Sequence, residues 1–94
     1  MPYFRKKPVV VEAMQFTDAD KDRVFVWASE LQQNVYPGRD KEGQPTLLIP
    51  TLEGEMICSI GDWIIKEPFP TDWRKVYPCK NEIFRQTYES SDEE

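Results

Sequence analysis

Histidine is absent from this 94-residue chain, and its absence limits the chemistry that the side chains can perform. Ser–His and Cys–His nucleophilic pairs, histidine acid–base catalysis and histidine-based metal sites are all excluded. An enzyme built from this sequence would have to use carboxylates, lysine, tyrosine or cysteine alone. We therefore predict a protein that is not an enzyme, with no catalytic residues, no metal site and no cofactor.

The polar residues that come nearest to a site are two in the segment 59–66, together with Lys80. We expect a structural role, in which Gly61 supplies an unusual φ while Asp62 caps the turn by accepting hydrogen bonds from nearby backbone N–H groups. The functional alternative predicts that Asp62, Lys66 and Lys80 gather at one end of a sheet as a polar cluster. The chain has neither a glycine-rich phosphate loop nor a dinucleotide-binding fingerprint, so no motif predicts phosphate binding.

Cys79 lies beside a lysine and just before a predicted helix, a position that can lower the pKa of a thiol. Because no histidine can act as its base, the same residues favour a corner stiffened by Pro78 and plugged by a small apolar side chain. The bond between Tyr77 and Pro78 is a candidate cis peptide, since tertiary context can select that isomer. A disulfide with Cys58 is open, but reduced and partly buried thiols are expected.

A second candidate site is a pocket between helix and sheet that would bind a small ligand or nucleotide. Glu12 interrupts an apolar run, and an unpaired buried carboxylate is costly, so Glu12 needs a partner or access to water. A lysine or a backbone group near a sheet edge would satisfy it, and contact with a ligand is the functional alternative. The residues predicted to form this pocket are Glu12, Gln15, Asp62, Lys66, Tyr77 and Lys80.

Aromatic residues are more numerous than the core of so short a chain can bury, with three tryptophans, four tyrosines and five phenylalanines. Several of them flank the proline-stiffened loop 68–72. Exposed aromatic side chains next to stiff prolines suit a protein-binding surface. The residues predicted to form this surface are Trp63, Lys66, Phe69, Trp73 and Tyr77.

The charge distribution disfavours nucleic acid as a partner. The net charge is −5, and residues 89–94 carry four of these negative charges, which leaves the body of the chain near −1. Phosphate neutralisation and base stacking both need a basic surface, whereas a DNA mimic needs negative charge spread over the body. We expect the acidic tail 89–94 to be disordered and residues 1–88 to form a single domain.

Two helical segments are expected to position these residues. Residues 17–33 are predicted to form the main helix, because apolar side chains recur at i, i+3, i+4 and i+7. A short helical turn at 81–88 would dock on the sheet through Phe84 and Tyr88. The apolar stripe of the main helix is Val24, Trp27, Ala28 and Leu31.

Runs of β-branched and aromatic residues bounded by turn residues predict strands at 8–16, 46–49, 55–59, 63–66 and 73–77. Because proline lacks a ladder donor, Pro50 is predicted to end the second strand or to place it at a sheet edge, and Pro78 is predicted to end the fifth. Residues 34–45 are predicted to be a loop. Short connections make the second and third strands antiparallel and join the fourth and fifth as a hairpin.

These elements predict an α+β fold. It would consist of a small, twisted, mainly antiparallel sheet of about five strands with one main helix and a short C-terminal helical turn. A partly closed barrel is the variant of this arrangement.

Several short motifs follow one another in a fixed order: RKKPVVVEA at 5–13, TLEG at 51–54, GDW at 61–63, YPCK at 77–80 and TYE at 87–89. In this order and spacing the sequence resembles a family of small phage and prophage proteins that is named for a PGDYG-like motif and has no characterised function. Ile60, Trp63 and Asn81 depart from the proline, tyrosine and proline that are usual in the family. The resemblance implies a phage or prophage origin and brings no established activity.

We therefore expect a small phage or prophage accessory protein. It would bind an unidentified host or phage protein, or a second copy of itself, through the aromatic surface. A small-ligand or nucleotide-binding module is the alternative. No apolar run approaches the roughly 20 residues that span a bilayer, so no membrane association is predicted and the cytoplasm of a bacterial host is the expected compartment.

Overall fold

The computed structural model of this protein describes residues 2–4 and 9–89. Within these residues, neither helix is long and apolar enough to cross a membrane. Residues 5–8 and 90–94 lie outside the described residues, so the prediction of a disordered tail stays a prediction. The elements in chain order are β1 (Ala13–Gln15), α1 (Lys21–Leu31), β2 (Tyr36–Arg39), β3 (Pro45–Thr51), β4 (Gly54–Ser59), β5 (Trp63–Lys66), β6 (Val76–Cys79) and α2 (Asn81–Thr87).

The first sheet is built around β5, with β1 and β6 antiparallel on either side of it. Trp63 at the start of β5 lies opposite Cys79 at the end of β6. The predicted hairpin of the fourth and fifth strands is confirmed, although the fifth begins at Val76 and not at Trp73. The peptide bond that precedes Pro78 is trans.

The second sheet is built around β3, with β2 and β4 antiparallel on either side of it. The antiparallel pairing predicted for the second and third strands is confirmed. β2 lies inside the predicted loop 34–45, so the prediction of a loop is wrong for residues 36–39. Pro37 and Gly38 are a turn signal in the sequence, but β2 is an edge strand, where a proline need not remove a ladder hydrogen bond.

The predictions that Pro50 and Pro78 end their strands are also wrong, since they lie inside β3 and β6. The alternative of an edge strand at Pro50 is wrong too, because β3 is the central strand of its sheet. Backbone groups along a paired strand alternate between facing the neighbouring strand and facing away from it. The carbonyl of Pro50 faces away from β4 and accepts a hydrogen bond from Gln32 Nε2 at 3.1 Å. The N–H of Val76, two residues before Pro78, likewise faces away from β5 and donates to Gln32 Oε1 at 3.1 Å. Both prolines therefore occupy positions that need no ladder donor.

The α+β class is confirmed, but the single sheet of about five strands and its barrel variant are wrong, because the strands divide into two three-stranded antiparallel sheets. The first predicted strand, 8–16, shortens to Ala13–Gln15. Its partner β5 has only four residues, so the preceding valines have no strand to pair with. Val9 and Val10 are accordingly 42% and 77% exposed.

The main helix is shorter than predicted, and the Asp20 N–H at its start donates to Thr17 Oγ1 at 3.1 Å. Its apolar stripe is confirmed: Val24 and Ala28 are fully buried, while Trp27 and Leu31 are partly buried against the core. The helix and both sheets contribute to one core. Its buried members are Phe16, Val24, Ala28, Val35, Leu47, Ile49, Cys58, Ile64 and Val76.

Candidate functional site

The turn into β5 is held by Asp62, a residue that is only 8% exposed. Gly61 has a φ of 99°, which L-amino acids rarely adopt. Asp62 Oδ2 accepts a hydrogen bond from the Ser59 N–H at 3.1 Å and an ion-pair contact from Lys80 Nζ at 3.2 Å. The structural interpretation of this turn, with a glycine at an unusual φ and a capping aspartate, is therefore confirmed.

Lys66 does not join Asp62 and Lys80, so the predicted cluster of these three residues is wrong. Lys66 lies at the other end of β5, where Nζ is 3.9 Å from Glu12 Oε1. A strand rises roughly 3.3 Å per residue, so the two ends of this strand are separated by about 10 Å or more. Each lysine instead neutralises the carboxylate nearest to it, and the expectation that Glu12 pairs with a lysine is confirmed.

The residues of the predicted helix–sheet pocket are divided between these two ends. Glu12 lies with Lys66, whereas Gln15 Nε2 donates to the Gly61 carbonyl at 2.9 Å, next to Asp62 and Lys80. The side chain of Gln15 is therefore committed to holding the β5 turn. The ligand-binding alternative stays a prediction. Of the residues assigned to it, Glu12 and Lys66 share a cleft with each other, whereas Tyr77 lines a different one.

Trp63 is covered by α2. Its indole ring stacks on the ring of Phe84 with centroids 3.9 Å apart and planes 7° from parallel. Trp63 Nε1 also donates to Asn81 Oδ1 at 2.9 Å. The ring of Phe84 in turn packs on the ring of Tyr88, with centroids 4.9 Å apart. Docking of Phe84 on the sheet is thus confirmed, and it places Trp63 beneath a helix and away from an open surface.

Tyr77 lies on β6 and is half-buried. Burial raises the pKa of its hydroxyl, and a side-chain hydrogen bond with Tyr88 raises that pKa further. Tyr77 also lines a surface cleft. Because its pKa is raised, its hydroxyl stays neutral there. Tyr77 therefore contacts Tyr88, the residue that follows α2, and also lines this cleft.

The aromatic loop, defined here as residues 67–75 between β5 and β6, carries the most exposed aromatic side chains of the predicted surface. Phe69 is 70% and Trp73 is 48% exposed. The base of the loop is closed by a hydrogen bond from the Glu67 N–H to the Lys75 carbonyl at 2.7 Å. Of the five residues predicted for the surface, only Phe69 and Trp73 are exposed on this loop.

Asp72 and Arg74 stiffen the tip of the aromatic loop. Asp72 Oδ1 accepts hydrogen bonds from the Arg74 N–H at 2.9 Å and from its Nε at 3.0 Å, and Oδ2 pairs with Nη2. These hydrogen bonds lower the pKa of the Asp72 carboxyl to about 2. The loop is therefore clamped by a carboxylate that stays ionised well below neutral pH.

Two shallow clefts meet at Phe69. One, of about 280 Å³, has Tyr77, Val76 and Arg74 among its lining residues. The other, of about 460 Å³, runs between the 9–12 segment and the start of the aromatic loop. Glu67 and Phe69 line both clefts, so Phe69 forms the ridge between them.

The two thiols are free and poorly activated. Burial, with a smaller contribution from the Asp62 carboxylate, raises the pKa of Cys58 to about 12. The pKa of Cys79 is also raised, by burial first and by Asp62 second. The predicted lowering of the Cys79 pKa by Lys80 is therefore wrong, because Lys80 is paired with Asp62.

Gln32 is the most connected polar side chain that the sequence reasoning missed. It is 3% exposed and joins the two sheets, since Nε2 donates to the Pro50 carbonyl and Oε1 accepts from the N–H groups of Lys75 and Val76. One signal could have found it. Gln32 continues the i, i+4 series of Val24 and Ala28, which places it on the buried face at the end of the helix.

The described residues contain no group of three or more Cys, Asp or Glu side chains that could hold a metal ion. Comparison of the chain with protein-family models, with curated proteins and with solved structures finds no match. The resemblance to the small phage proteins therefore stays a prediction.

Proposed function

We propose that this chain is a small, non-enzymatic accessory protein of a phage or prophage, acting in the cytoplasm of a bacterial host, that binds another protein through the aromatic loop. The observation that carries the proposal is the exposure of Phe69 and Trp73 on one loop, at 70% and 48%. Large aromatic side chains supply much of the energy of protein interfaces. Two such side chains on one loop are a stronger sign of an interaction site than single hydrophobic residues scattered over a surface.

The rigidity of the loop supports the same proposal. Pro68 and Pro70 restrict the backbone on either side of Phe69. The hydrogen bonds between Asp72 and Arg74 restrict the backbone on either side of Trp73. A loop that is already ordered loses little conformational entropy when a partner binds. The aromatic side chains are thus presented on a preorganised backbone.

The cleft beside Phe69 suggests how a partner side chain would be received. Its lining combines the half-buried Tyr77, Pro50 and Val76 with Arg74 and the acidic residues Glu67 and Asp72. The guanidinium is already paired with Asp72, so the cleft does not present a free cation. An apolar partner side chain suits it better than a phosphate or a carboxylate.

The proposal is tested by affinity capture from a bacterial lysate with three immobilised proteins: the wild type, the double variant Phe69→Ser/Trp73→Ser, and the control Leu52→Ser. Leu52 is 68% exposed in the β3–β4 turn, so its replacement removes a comparable apolar side chain from another surface. A specific partner should be retained by the control and lost by the double variant. With that partner purified, the double variant should bind at least about 30-fold more weakly, as expected when hot-spot residues are removed. Equal capture by all three proteins would refute the assignment of the loop.

A further inference from the structure

The two sheets have four edges, and three of them are closed to an additional strand. β1 is only three residues long, and β2 carries Pro37. On β6, Pro78 lacks a donor and the N–H of Val76 is already bound to Gln32. Short strands and prolines are the usual means by which proteins protect sheet edges. β4 is the exception, with six residues and neither proline nor lysine among them.

The direction of the backbone groups along β4 follows from Ser59. Its N–H donates to Asp62 Oδ2 at 3.1 Å, and its carbonyl accepts from the Asp62 N–H at 2.9 Å. Both groups of Ser59 therefore face away from β3. Because directions alternate along an antiparallel strand, the groups of Ile57 and Glu55 face away from β3 as well.

Pro50 supports this assignment from the opposite strand. Pro50 lies across from Glu55, has no N–H, and directs its carbonyl to Gln32 on the far side of β3. The pair is therefore not joined by ladder hydrogen bonds, and the groups of Glu55 must face the open edge. Within residues 2–4 and 9–89, no hydrogen bond takes up the outward backbone groups of Glu55 and Ile57.

We propose that the open edge of β4 pairs antiparallel with the same edge of a second copy of this chain. The open part is bounded by the turn at Gly54 and by the Asp62 cap on Ser59, which leaves Glu55 and Ile57 as the residues with free backbone groups. This proposal depends on β4 alone and is independent of the function proposed for the aromatic loop.

A second copy fits this edge because the free groups are symmetric about Met56. A twofold axis at Met56 places Glu55 of each copy opposite Ile57 of the partner subunit. Each such pair can exchange two backbone hydrogen bonds, so all four outward N–H groups and all four outward carbonyls of the two copies are satisfied. An isologous contact of this kind closes on itself and does not propagate into a fibre.

The side chains on the outer face extend the contact. Tyr36, Leu48 and Ile57 lie in one row across the second sheet, and Tyr36 and Ile57 are 44% and 55% exposed. The hydroxyl of Tyr36 donates to Glu55 Oε2, which orders the carboxylate beside this row. Pairing two β4 edges would set the rows of the two copies side by side on one face, with Ile57 of each row opposite Glu55 of the partner subunit.

Chemical cross-linking tests the register of this pairing. Met56 would lie opposite Met56 of the partner subunit as a pair that is not hydrogen-bonded, with Cα atoms about 4.5 Å apart, which lies within the range for a disulfide. In a Cys79→Ser background, Met56→Cys should form a disulfide-linked dimer on mild oxidation. Leu52→Cys, which is exposed in the turn beyond the open edge, should stay monomeric.

Charge substitution at Ile57 provides a second, independent test by sedimentation equilibrium. The variant Ile57→Lys places a cation opposite Glu55 of the partner subunit at two symmetric positions, whereas Ile57→Asp places a like charge there. We expect Ile57→Lys to dimerise at least about tenfold more tightly than Ile57→Asp, from the usual energies of cross-strand charge pairs. Since each copy carries a net charge of −5, added salt should strengthen wild-type dimerisation by screening the repulsion.

The variant Ile57→Pro removes an outward donor without touching the β3–β4 ladder, so it should stay folded by circular dichroism and lose the dimer. Ile57→Thr, which keeps the donor, is its matched control. Equal cross-linking of Met56→Cys and Leu52→Cys, or equal dimerisation of the lysine and aspartate variants, would overturn the proposal. Because none of these changes lies in the aromatic loop, partner capture by Phe69 and Trp73 is scored separately.

Discussion

The indole ring of Trp63 and the phenyl ring of Phe84 lie nearly parallel, with their centroids 3.9 Å apart. This contact fastens α2 to the first sheet and is reinforced by the hydrogen bond from Trp63 Nε1 to Asn81 at 2.9 Å. α2 has only seven residues and no fully buried one. A helix so short is marginal by itself, so its stability depends on this pair of rings.

We predict measurable coupling between the two rings. In a double-mutant cycle of Trp63→Leu and Phe84→Leu, the free energy of unfolding in urea should show a coupling of about 0.5–1.5 kcal/mol, as for other aromatic pairs. Ile83→Ala is the control, because Ile83 is 55% exposed on the same helix. Its effect should add to that of Trp63→Leu, and strict additivity for the aromatic pair as well would contradict the stacking.

Gln32→Leu should destabilise the fold strongly. The leucine fills the space but leaves the N–H of Val76 and the carbonyl of Pro50 without their partner. Unsatisfied buried groups cost about 1–3 kcal/mol each, so we expect a loss of at least about 2 kcal/mol in the free energy of unfolding. The exposed neighbour provides the control, since Gln33→Leu should change it by less than about 0.5 kcal/mol. Similar losses in both variants would mean that Gln32 does not join the sheets.

The Asp72–Arg74 clamp should be visible in an NMR titration. The folded-state pKa of Asp72 is lowered from 3.8 to about 2 by the hydrogen bonds from Arg74. A lowered carboxyl pKa contributes stability above pH 3.8, and this contribution is lost as the pH falls toward about 2. Arg74→Gln should return the Asp72 midpoint toward 3.8, whereas Arg85→Gln, on α2, should leave it near 2. An unchanged midpoint in Arg74→Gln would disprove the clamp.

The thiols should resist alkylation in the folded protein. A pKa of about 12 for Cys58 leaves roughly one thiolate in ten thousand at pH 8. In a Cys79→Ser variant, iodoacetamide at pH 8 should leave Cys58 unmodified by mass spectrometry until urea unfolds the chain. In the matched Cys58→Ser variant, the half-buried Cys79 should react slowly but without unfolding. Rapid native-state labelling of Cys58 would contradict its burial.

Much of the local structure could be predicted because it depends on neighbouring residues. The spacing of Val24 and Ala28 identified the buried face of α1, and the strand at Trp63–Lys66 was predicted with its observed bounds. The cap by Asp62 is also local, since it holds the N–H of Ser59 only three residues away. Such features follow from periodicity and turn chemistry alone.

Pairing partners that are distant in sequence could not be predicted in the same way. Lys66 and Lys80 are both plausible partners of Asp62 in the sequence, but the extended length of β5 takes Lys66 to Glu12. The division into two sheets is decided by which edges face each other after packing. Local propensity does not contain that information, because each strand would form equally well in one sheet or in two.

The sequence by itself determined what chemistry the chain lacks and where its strands and helices have the residues to form. It contains no histidine, and it has more aromatic residues than its core can bury. Only the tertiary structure decided which of those aromatics are open: Trp63 is covered by Phe84, whereas Phe69 and Trp73 remain exposed. The physical reason is that burial depends on the elements that pack over a side chain. α2 packs on Trp63 at the start of β5, whereas Phe69 and Trp73 lie on the aromatic loop.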